Sequence, residues 1–452
     1  VIYYELFLRN CLDCKNINFL DNRLFLHCQD ESACQKEYER HRWWENRLQR
    51  ICIIMNENRQ ITRAAGIIGI GTLASRILGF MRDMILAWFF GAGKLSDAFF
   101  VAFRIPNLLR RLLAEGTLTM AFVPVFAEYL TKDGKNEAFK MARSAIRALS
   151  AVLTIVTIAG MAGAPVLVYI IAPGFTGEAY DITVVLTRIM FPYVFFICLV
   201  ALCMGILNTM GHFAAPAFAP VLLNIGIITG ALVIAPMMKT PVNGLAAGVL
   251  IGGLLQLLLQ YPFLVKKGFR FWQPAPLFHP GVRKIILLMG PAVFGAAVYQ
   301  VNILVGTILA SLLPEGSVSY LYYADRLVQF PLGIFAISTS VAVLPSLSRQ
   351  AAAQDFTALE NTFSFAMRFV FFITIPSTIG LIVLKEPIVA LLFGRGEFDA
   401  TSIHMTAYAL LYYAVGLCAF SAVRVVVSTF YALQDTKTPV KMATISIIAN
   451  IV

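Results

Sequence analysis

The chain has 452 residues, of which 59% are hydrophobic and only 13% charged, and its mean hydropathy is +0.76. That balance excludes a water-soluble domain of this length and, without short alternating strands, a barrel; it points to an all-α protein that crosses a membrane many times. The net charge of +11 is not read as nucleic-acid binding, because the basic residues fall in loops and at helix ends, where the positive-inside rule puts them.

Residues 1–54 differ from everything after them. They are polar, rich in Asn, Arg and Cys, and lack the apolar core of a signal peptide. Met55 opens MNENRQITRAAGIIG, a polar tip followed by an apolar run, whereas the chain begins at Val1. Met55 is therefore expected to be the natural start, with 1–54 a polar, Cys-rich upstream extension, disordered or not native. A genuine cytoplasmic extension is the alternative. Cys11-x-x-Cys14 followed by His27, Cys28 and Cys34 matches a zinc knuckle only loosely, and the later spacing fits no common site, so no metal is expected. Cys198, Cys203 and Cys418 lie in apolar runs and read as small apolar filler.

Apolar runs predict membrane helices over 64–90, 96–127, 140–172, 181–210, 215–237, 242–265, 283–313, 317–348, 360–393 and 402–433, with another beginning near 438. That makes ten complete helices and part of an eleventh. Loops after even-numbered helices hold Lys132, Lys135, Lys140, Arg143, Lys266, Lys267, Arg270, Arg283, Lys284, Arg349, Lys437 and Lys441. Loops after odd-numbered helices hold only Lys94, Lys239 and Arg395. The amino terminus is therefore expected on the cytoplasmic side.

The chain repeats itself. Pro124 in FVPV answers Pro345 in VLPS, Ala145-Ile146-Arg147 answers Ala366-Met367-Arg368, Pro165 answers Pro387, and Pro216 answers Pro439, at offsets of 221 to 223 residues. Six helices separate equivalent points, so the two halves share one topology. The expected architecture is two six-helix lobes, 55–270 and 271–452, related by a parallel repeat around a central cavity, with the second lobe incomplete.

The first two helices carry Arg76, Arg82, Asp83, Asp97, Arg104, Arg110, Arg111 and Glu115 inside apolar runs. Charges at membrane depth are costly and face a bundle interior or a wet cavity. The repeat partner of the first helix, Ile285 to Leu313, carries no charge, so the first lobe has a task of its own. Arg76, Gly79 and Asp83 share a helical face, with Arg82 about 120° round from Arg76. Asp97, Arg104 and Arg111 form a second stripe, from which Arg110 is offset by about 100°. Pro106 is expected to disrupt the helix between them. Asp325-Arg326 lies inside a later helix. Guanidinium forks suit the paired oxygens of phosphate, so Arg76, Arg82, Arg110 and Arg326 are the candidate substrate-binding set, with Asp83, Asp97 and Asp325 as supporting cavity acids. The competing reading is that Asp83, Asp97 and Glu115 neutralise these arginines as structural pairs. Arg147, Arg188, Arg368 and Arg424 read as structural. A membrane-embedded transferase would need clustered carboxylates or histidines, and His212, His279 and His404 stand far apart in sequence.

Ser75-Arg76-Ile77-Leu78-Gly79-Phe80-Met81-Arg82-Asp83, Phe90-Gly91-Ala92-Gly93, Ser96-Asp97-Ala98-Phe99-Phe100, Pro106-Asn107-Leu108-Leu109-Arg110-Arg111, Tyr322-Tyr323-Ala324-Asp325-Arg326 and Gln434-Asp435-Thr436-Lys437-Thr438-Pro439 closely resemble the MurJ (MviN) family of bacterial lipid II flippases. That family belongs to the multidrug/oligosaccharidyl-lipid/polysaccharide exporter superfamily. The resemblance covers about 60–452. It implies a fourteen-helix transporter, not an enzyme, in the bacterial inner membrane. Such a protein moves the undecaprenyl-diphosphate-linked peptidoglycan precursor to the outer leaflet by alternating access, with lipid II, membrane lipids and cell-wall synthesis proteins as partners. By motif position, Arg76, Arg82, Arg110 and Arg326 match the family's cavity arginines, Asp83 a cavity acid and Asp97 an acid important for function. Some members bind sodium between helices seven and eleven. Asp435 fits the helix-eleven side of that pattern as a candidate cation site, while helix seven offers only Gln300 and Asn302, so coupling to the membrane potential or to a monovalent cation stays open. No cofactor is expected. The rival readings are a flippase for another polyprenyl-diphosphate glycan and a multidrug antiporter of the same superfamily.

Overall fold

The computed structural model describes residues 62–451, so the expectations for 1–54, Met55 and the amino-terminal cysteines lie outside the described residues. Every regular element among the described residues is helical. In chain order they are α1 (Thr62–Phe90), α2 (Lys94–Leu109, Arg110–Leu118 and Thr119–Lys132), α3 (Gly134–Ala162 and Ala164–Ile171) and α4 (Glu178–Thr209). There follow α5 (Ala214–Met237), α6 (Val242–Lys266), α7 (Pro280–Ser311), α8 (Ser317–Ala352), α9 (Phe356–Val383 and Lys385–Phe393), α10 (Ala400–Ala432) and α11 (Lys437–Ile451). Eight of them, all but α2, α7 and α11, are long and apolar enough to cross a membrane. The chain is a multi-pass membrane protein.

The repeat in the sequence reappears as repeated irregularity. The middle of α2 is π-helical over Arg110–Leu118, and the middle of α8 is π-helical over Leu332–Ile337. α3 breaks at Gly163 and α9 at Leu384, a separation of 221 residues. A turn with a wider register marks an insertion or a lost hydrogen bond in the ladder, and such turns concentrate at functional sites. Pro106 does not end α2. Its missing N–H removes one rung, the helix continues, and the π-helical stretch begins four residues later at Arg110.

The largest departures from the hydropathy reading are at α2 and α3, and smaller ones put Arg283, Lys284 and Arg349 on helices too. α3 begins at Gly134, six residues before the apolar run, and α2 extends to Lys132. Lys132, Lys135 and Lys140 therefore sit on helical turns rather than in a loop. Helices outrun the hydrocarbon, and hydropathy registers only the part inside it.

The first half packs α2 against α3, α4 and α6, and α5 against α6. α5 and α6 approach backbone to backbone: a Cβ added at Gly248 would lie 2.5 Å from the Gly226 carbonyl oxygen, and one at Gly230 equally close to the Gly244 carbonyl oxygen. Small residues spaced by four let membrane helices pack this closely. In the second half α8, α9 and α10 pack on one another. α7, counted with the second lobe, also lies along α2 and α3 and meets α11. The outer face of α3 presents Val152, Ile155 and Ile158, each more than half exposed, as a lipid-facing surface should.

Candidate functional site

The charged face of α1 meets α8 and α5. Arg82 is buried among them. Its Nε and Nη2 donate to Asp83 Oδ1 at 3.0 and 2.6 Å, its Nη1 to Asn224 Oδ1 on α5 at 3.1 Å, and Nη2 also to the Tyr322 hydroxyl on α8 at 3.1 Å. Asp83, also buried, is shared: Arg326 Nε lies 3.1 Å from its Oδ2. Arg326 Nη2 donates to the Tyr322 hydroxyl at 2.9 Å, which in turn donates to Asp83 Oδ1 at 3.1 Å. The guanidinium of Arg326 lies over the Tyr322 ring, 4.9 Å from its centroid. Phe100 of α2 also stacks on that ring, with 3.9 Å between the ring centroids. Two arginines thus hold one carboxylate between them, joining the two halves of the chain.

Arg76 lies two turns along α1 from Asp83, about 10 Å at 1.5 Å per residue. It is exposed and makes no hydrogen bond or ion pair among the described residues. Its guanidinium rests against the backbone of Gly333, in the π-helical part of α8, where an added Cβ would come within 2.7 Å of Nη1. On α8, Gly333 lies as far beyond Arg326 as Arg76 lies before Asp83 on α1, so two antiparallel faces are matched: Asp83 with Arg326, Arg76 with Gly333.

Of the remaining predicted residues, Arg104 and Asp325 lie within Coulombic reach of this cluster, through Tyr322 and Arg326. Arg110 opens the π-helical segment of α2, and its Nε donates to Asn107 Oδ1 at 2.9 Å. Arg104 donates to the Thr307 hydroxyl of α7 at 2.6 Å. Asp325, half-buried, accepts a long 3.4 Å bond from Gln329 and stands within Coulombic reach of Arg326 first, then of Arg104 and Arg111. The side chain of Glu115 lies outside the described residues.

Asp97, expected among the cavity acids, is placed elsewhere. It is buried at the start of α2, where it accepts from the Gly316 N–H at 2.7 Å, the Ser319 N–H at 2.8 Å and the Ser319 hydroxyl at 2.6 Å. It caps α8 and pairs with no arginine. The physical reason is position: α2 and α8 are repeat partners whose N-termini meet, and an N-terminus exposes unpaired N–H groups that attract a carboxylate. Gly316, at φ +90° with the Ala92 carbonyl close by, is the residue that makes this approach fit. The same end of the bundle is closed by Lys94 N–H to Glu315 at 2.9 Å, Lys94 Nζ to Glu178 at 2.9 Å, and the Glu397 N–H to the Trp88 carbonyl at 3.0 Å.

Asp435 is likewise occupied. Its Oδ1 accepts from the N–H groups of Lys437 and Thr438 at 3.0 Å and its Oδ2 from the Thr438 hydroxyl, capping α11. These bonds hold its carboxyl below the usual carboxylate range. No group of three or more His, Cys, Asp or Glu side chains able to hold a metal occurs among the described residues. Gln300 is buried on α7.

The sequence reading did not single out Asn224, Tyr322 as a ligand of the arginines, or Ser319. An amide in the otherwise apolar run VLLNIGIITG was the available signal for Asn224. Buried in apolar surroundings, it needs partners, and it finds Arg82 and the Ser75 carbonyl.

A family model described as "Lipid II flippase MurJ" matches residues 86–452. The chain is similar to the "Probable lipid II flippase MurJ" of Vibrio cholerae serotype O1, 40% identical over 404 residues, covering 87% of this chain and 77% of that one. It is also 40% identical to the "Lipid II flippase MurJ" of Burkholderia cenocepacia over 383 residues, covering 82% and 73%. Among solved structures it resembles "Lipid II flippase MurJ, inward closed conformation", with a TM-score of 0.74 at 30% identity over 85% of this chain and 79% of that one. An inward-facing MATE family transporter of the MOP superfamily shares the fold, with a TM-score of 0.69 at 16% identity over 83% of this chain and 84% of that one. With its two repeated halves and its shared arginine cluster, the chain belongs to the lipid II flippase MurJ family.

Proposed function

We propose that the chain carries lipid II from the cytoplasmic to the outer leaflet of the bacterial inner membrane by alternating access, as a transporter without covalent chemistry. The observation that carries this reading is the cluster on α1 and α8. Arg76, Arg82 and Arg326 with Asp83 leave a net of two positive charges, and a diphosphate diester carries about two negative ones. A diphosphate can compete with Asp83 for two guanidiniums that share it, and Arg76 needs no bond broken to take part. Arg110 extends the basic path along α2. The polyprenyl tail stays in lipid, so only the headgroup needs a polar route. A membrane potential negative inside favours outward movement of that dianion by about 2.3 kcal/mol per charge for each 100 mV. A multidrug antiporter fits less well, because a cationic drug would meet net positive charge.

The test is lipid II export, read from outside, in cells depleted of their own flippase and supplied with the gene. Export restored to the normal rate supports the reading. Export of another polyprenyl-diphosphate glycan in its place overturns it.

In this reading the closed end at Asp97 faces outward and the amino terminus faces the cytoplasm. After removal of native cysteines, Lys135→Cys should be protected from an impermeant thiol reagent in intact cells, and Thr176→Cys should be labelled. Both positions are exposed. The reverse pattern inverts the direction of transport.

A further inference from the structure

The stretch joining α6 to α7 is laid along the start of α3. Arg147 Nη1 donates to the Ala275 carbonyl at 2.5 Å and Nη2 to the Gln273 carbonyl at 3.1 Å. The Ser144 hydroxyl donates to the Pro276 carbonyl at 2.6 Å. His279 Nδ1 accepts from the Gly281 N–H at 3.1 Å, and its Nε2 lies 3.2 Å from Glu137.

Arg143 stands one turn before Arg147 on the same face of α3. It is 8% exposed, and its Nε is sealed from solvent without an acceptor. It makes no ion pair among the described residues, and the charged group that acts on it is Arg147, a like charge. A guanidinium buried beside another guanidinium without a carboxylate is destabilising unless an anion joins it.

The surroundings say which anion. The lipid-facing surface of α3 starts at Val152, just over a turn beyond Arg147, so the two arginines sit where α3 leaves the hydrocarbon. The linker beside them exposes Trp272 at 89% and Phe278 at 88%, and Lys266, Arg270 and Arg283 are exposed around them. Exposed large aromatics among basic residues suit the headgroup level of a bilayer, where the rings lie at the boundary and the cations meet anionic lipid.

We propose that Arg143 and Arg147, together with the α6–α7 linker, form a headgroup site for an anionic phospholipid of the leaflet at this end of the bundle, with Trp272 and Phe278 lying in the interface beside it. The site is separate from the α1–α8 cluster and does not depend on what that cluster transports. Its consequence is mechanical: the linker between the two halves is fastened both to α3 and to the membrane, giving the second half a fixed post to move against.

The test uses the full chain in phosphatidylcholine nanodiscs doped with either brominated phosphatidylglycerol or the same fraction of brominated phosphatidylcholine. The Trp272 signal is taken as the difference from Trp272→Phe. Brominated phosphatidylglycerol should quench Trp272 more than brominated phosphatidylcholine does, and the excess should vanish in Arg143→Gln. Arg143→Gln breaks no hydrogen bond of the linker, so it tests the anion and leaves Arg147 holding the backbone. Circular dichroism and retention on sizing should match the unsubstituted chain. Equal quenching by the two lipids, an excess that survives in Arg143→Gln, or an excess abolished by millimolar inorganic phosphate, which would mark a site for a free anion, overturns the proposal.

Discussion

Arg76→Ala should leave the amount of membrane-inserted protein unchanged and lower lipid II export at least about tenfold. Arg76 makes no ion pair or hydrogen bond among the described residues and rests against Gly333, so no buried partner is orphaned by its loss. A charge-assisted hydrogen bond to substrate is worth about 1.5–3 kcal/mol, and tenfold corresponds to about 1.4 kcal/mol. Arg76→Lys should recover only part of the activity, because a lysine offers a point charge in place of a planar fork. Arg82→Ala is the informative contrast. Arg82 is buried and donates to Asp83, Asn224 and Tyr322, so its removal should lower protein level as well as export. Asp83 would keep Arg326 and Tyr322, which limits the fall. Quantifying inserted protein beside export separates the two effects. Normal export by Arg76→Ala would remove it from the substrate path. Export that falls only in proportion to protein in Arg82→Ala would make that residue purely structural.

The pair of expectations for these arginines, anion binding or structural neutralisation, does not divide residue by residue as the sequence suggests. Arg82 with Asp83 is a tight ion pair, yet the same carboxylate is shared with Arg326 across 243 residues of chain. One group can therefore serve both readings: neutralised at rest, available when a stronger anion arrives. Helical periodicity placed Arg76 and Asp83 on one face of α1, because spacing along a single helix is a local property. It could not say that α8 presents Arg326 and Gly333 at matching heights, since that depends on how two distant helices pack. The repeat offset was legible for the same reason that it is useful: equal spacing of prolines is a linear signal, and the structure carries it into the π-helical turns of α2 and α8 and the breaks at Gly163 and Leu384. Asp97 was misplaced because periodicity assigned it to the stripe of Arg104 and Arg111, whereas the N-terminus of a second helix, invisible in local sequence, claims it. Asp435 shows the local case. Its capping of α11 follows from Asp-Thr-Lys-Thr alone, a carboxylate with a donor three residues on.

Asp97→Asn should shift the protein toward a state open at the end where α2 and α8 begin. The carboxylate accepts three hydrogen bonds, from the Gly316 and Ser319 N–H groups and the Ser319 hydroxyl. An asparagine amide offers one carbonyl oxygen and an NH2 group that cannot accept from a backbone N–H. At least one N–H of α8 then loses its acceptor, and the attraction between a carboxylate and the positive end of the α8 dipole is lost as well. Each hydrogen bond to a charged group contributes about 1.5–3 kcal/mol. The closed state should therefore lose about one to two factors of ten relative to the open one. Spin labels at Thr176→Cys in the first half and Arg395→Cys in the second report the opening, since both are exposed at this end. The expected result is a longer-distance population that is minor in the parent chain and dominant in Asp97→Asn, with Asp97→Ala shifted further. Ser319→Ala removes only the hydroxyl bond and leaves both N–H bonds in place, so it should lie between parent and Asp97→Asn. Lipid II export should fall in Asp97→Asn even though the α1–α8 arginines are untouched, because a transporter that rests open on the far side loads substrate less often. An unchanged distance distribution in Asp97→Asn would reduce these bonds to local capping and leave the closure to Lys94, Glu315 and the Glu397–Trp88 contact.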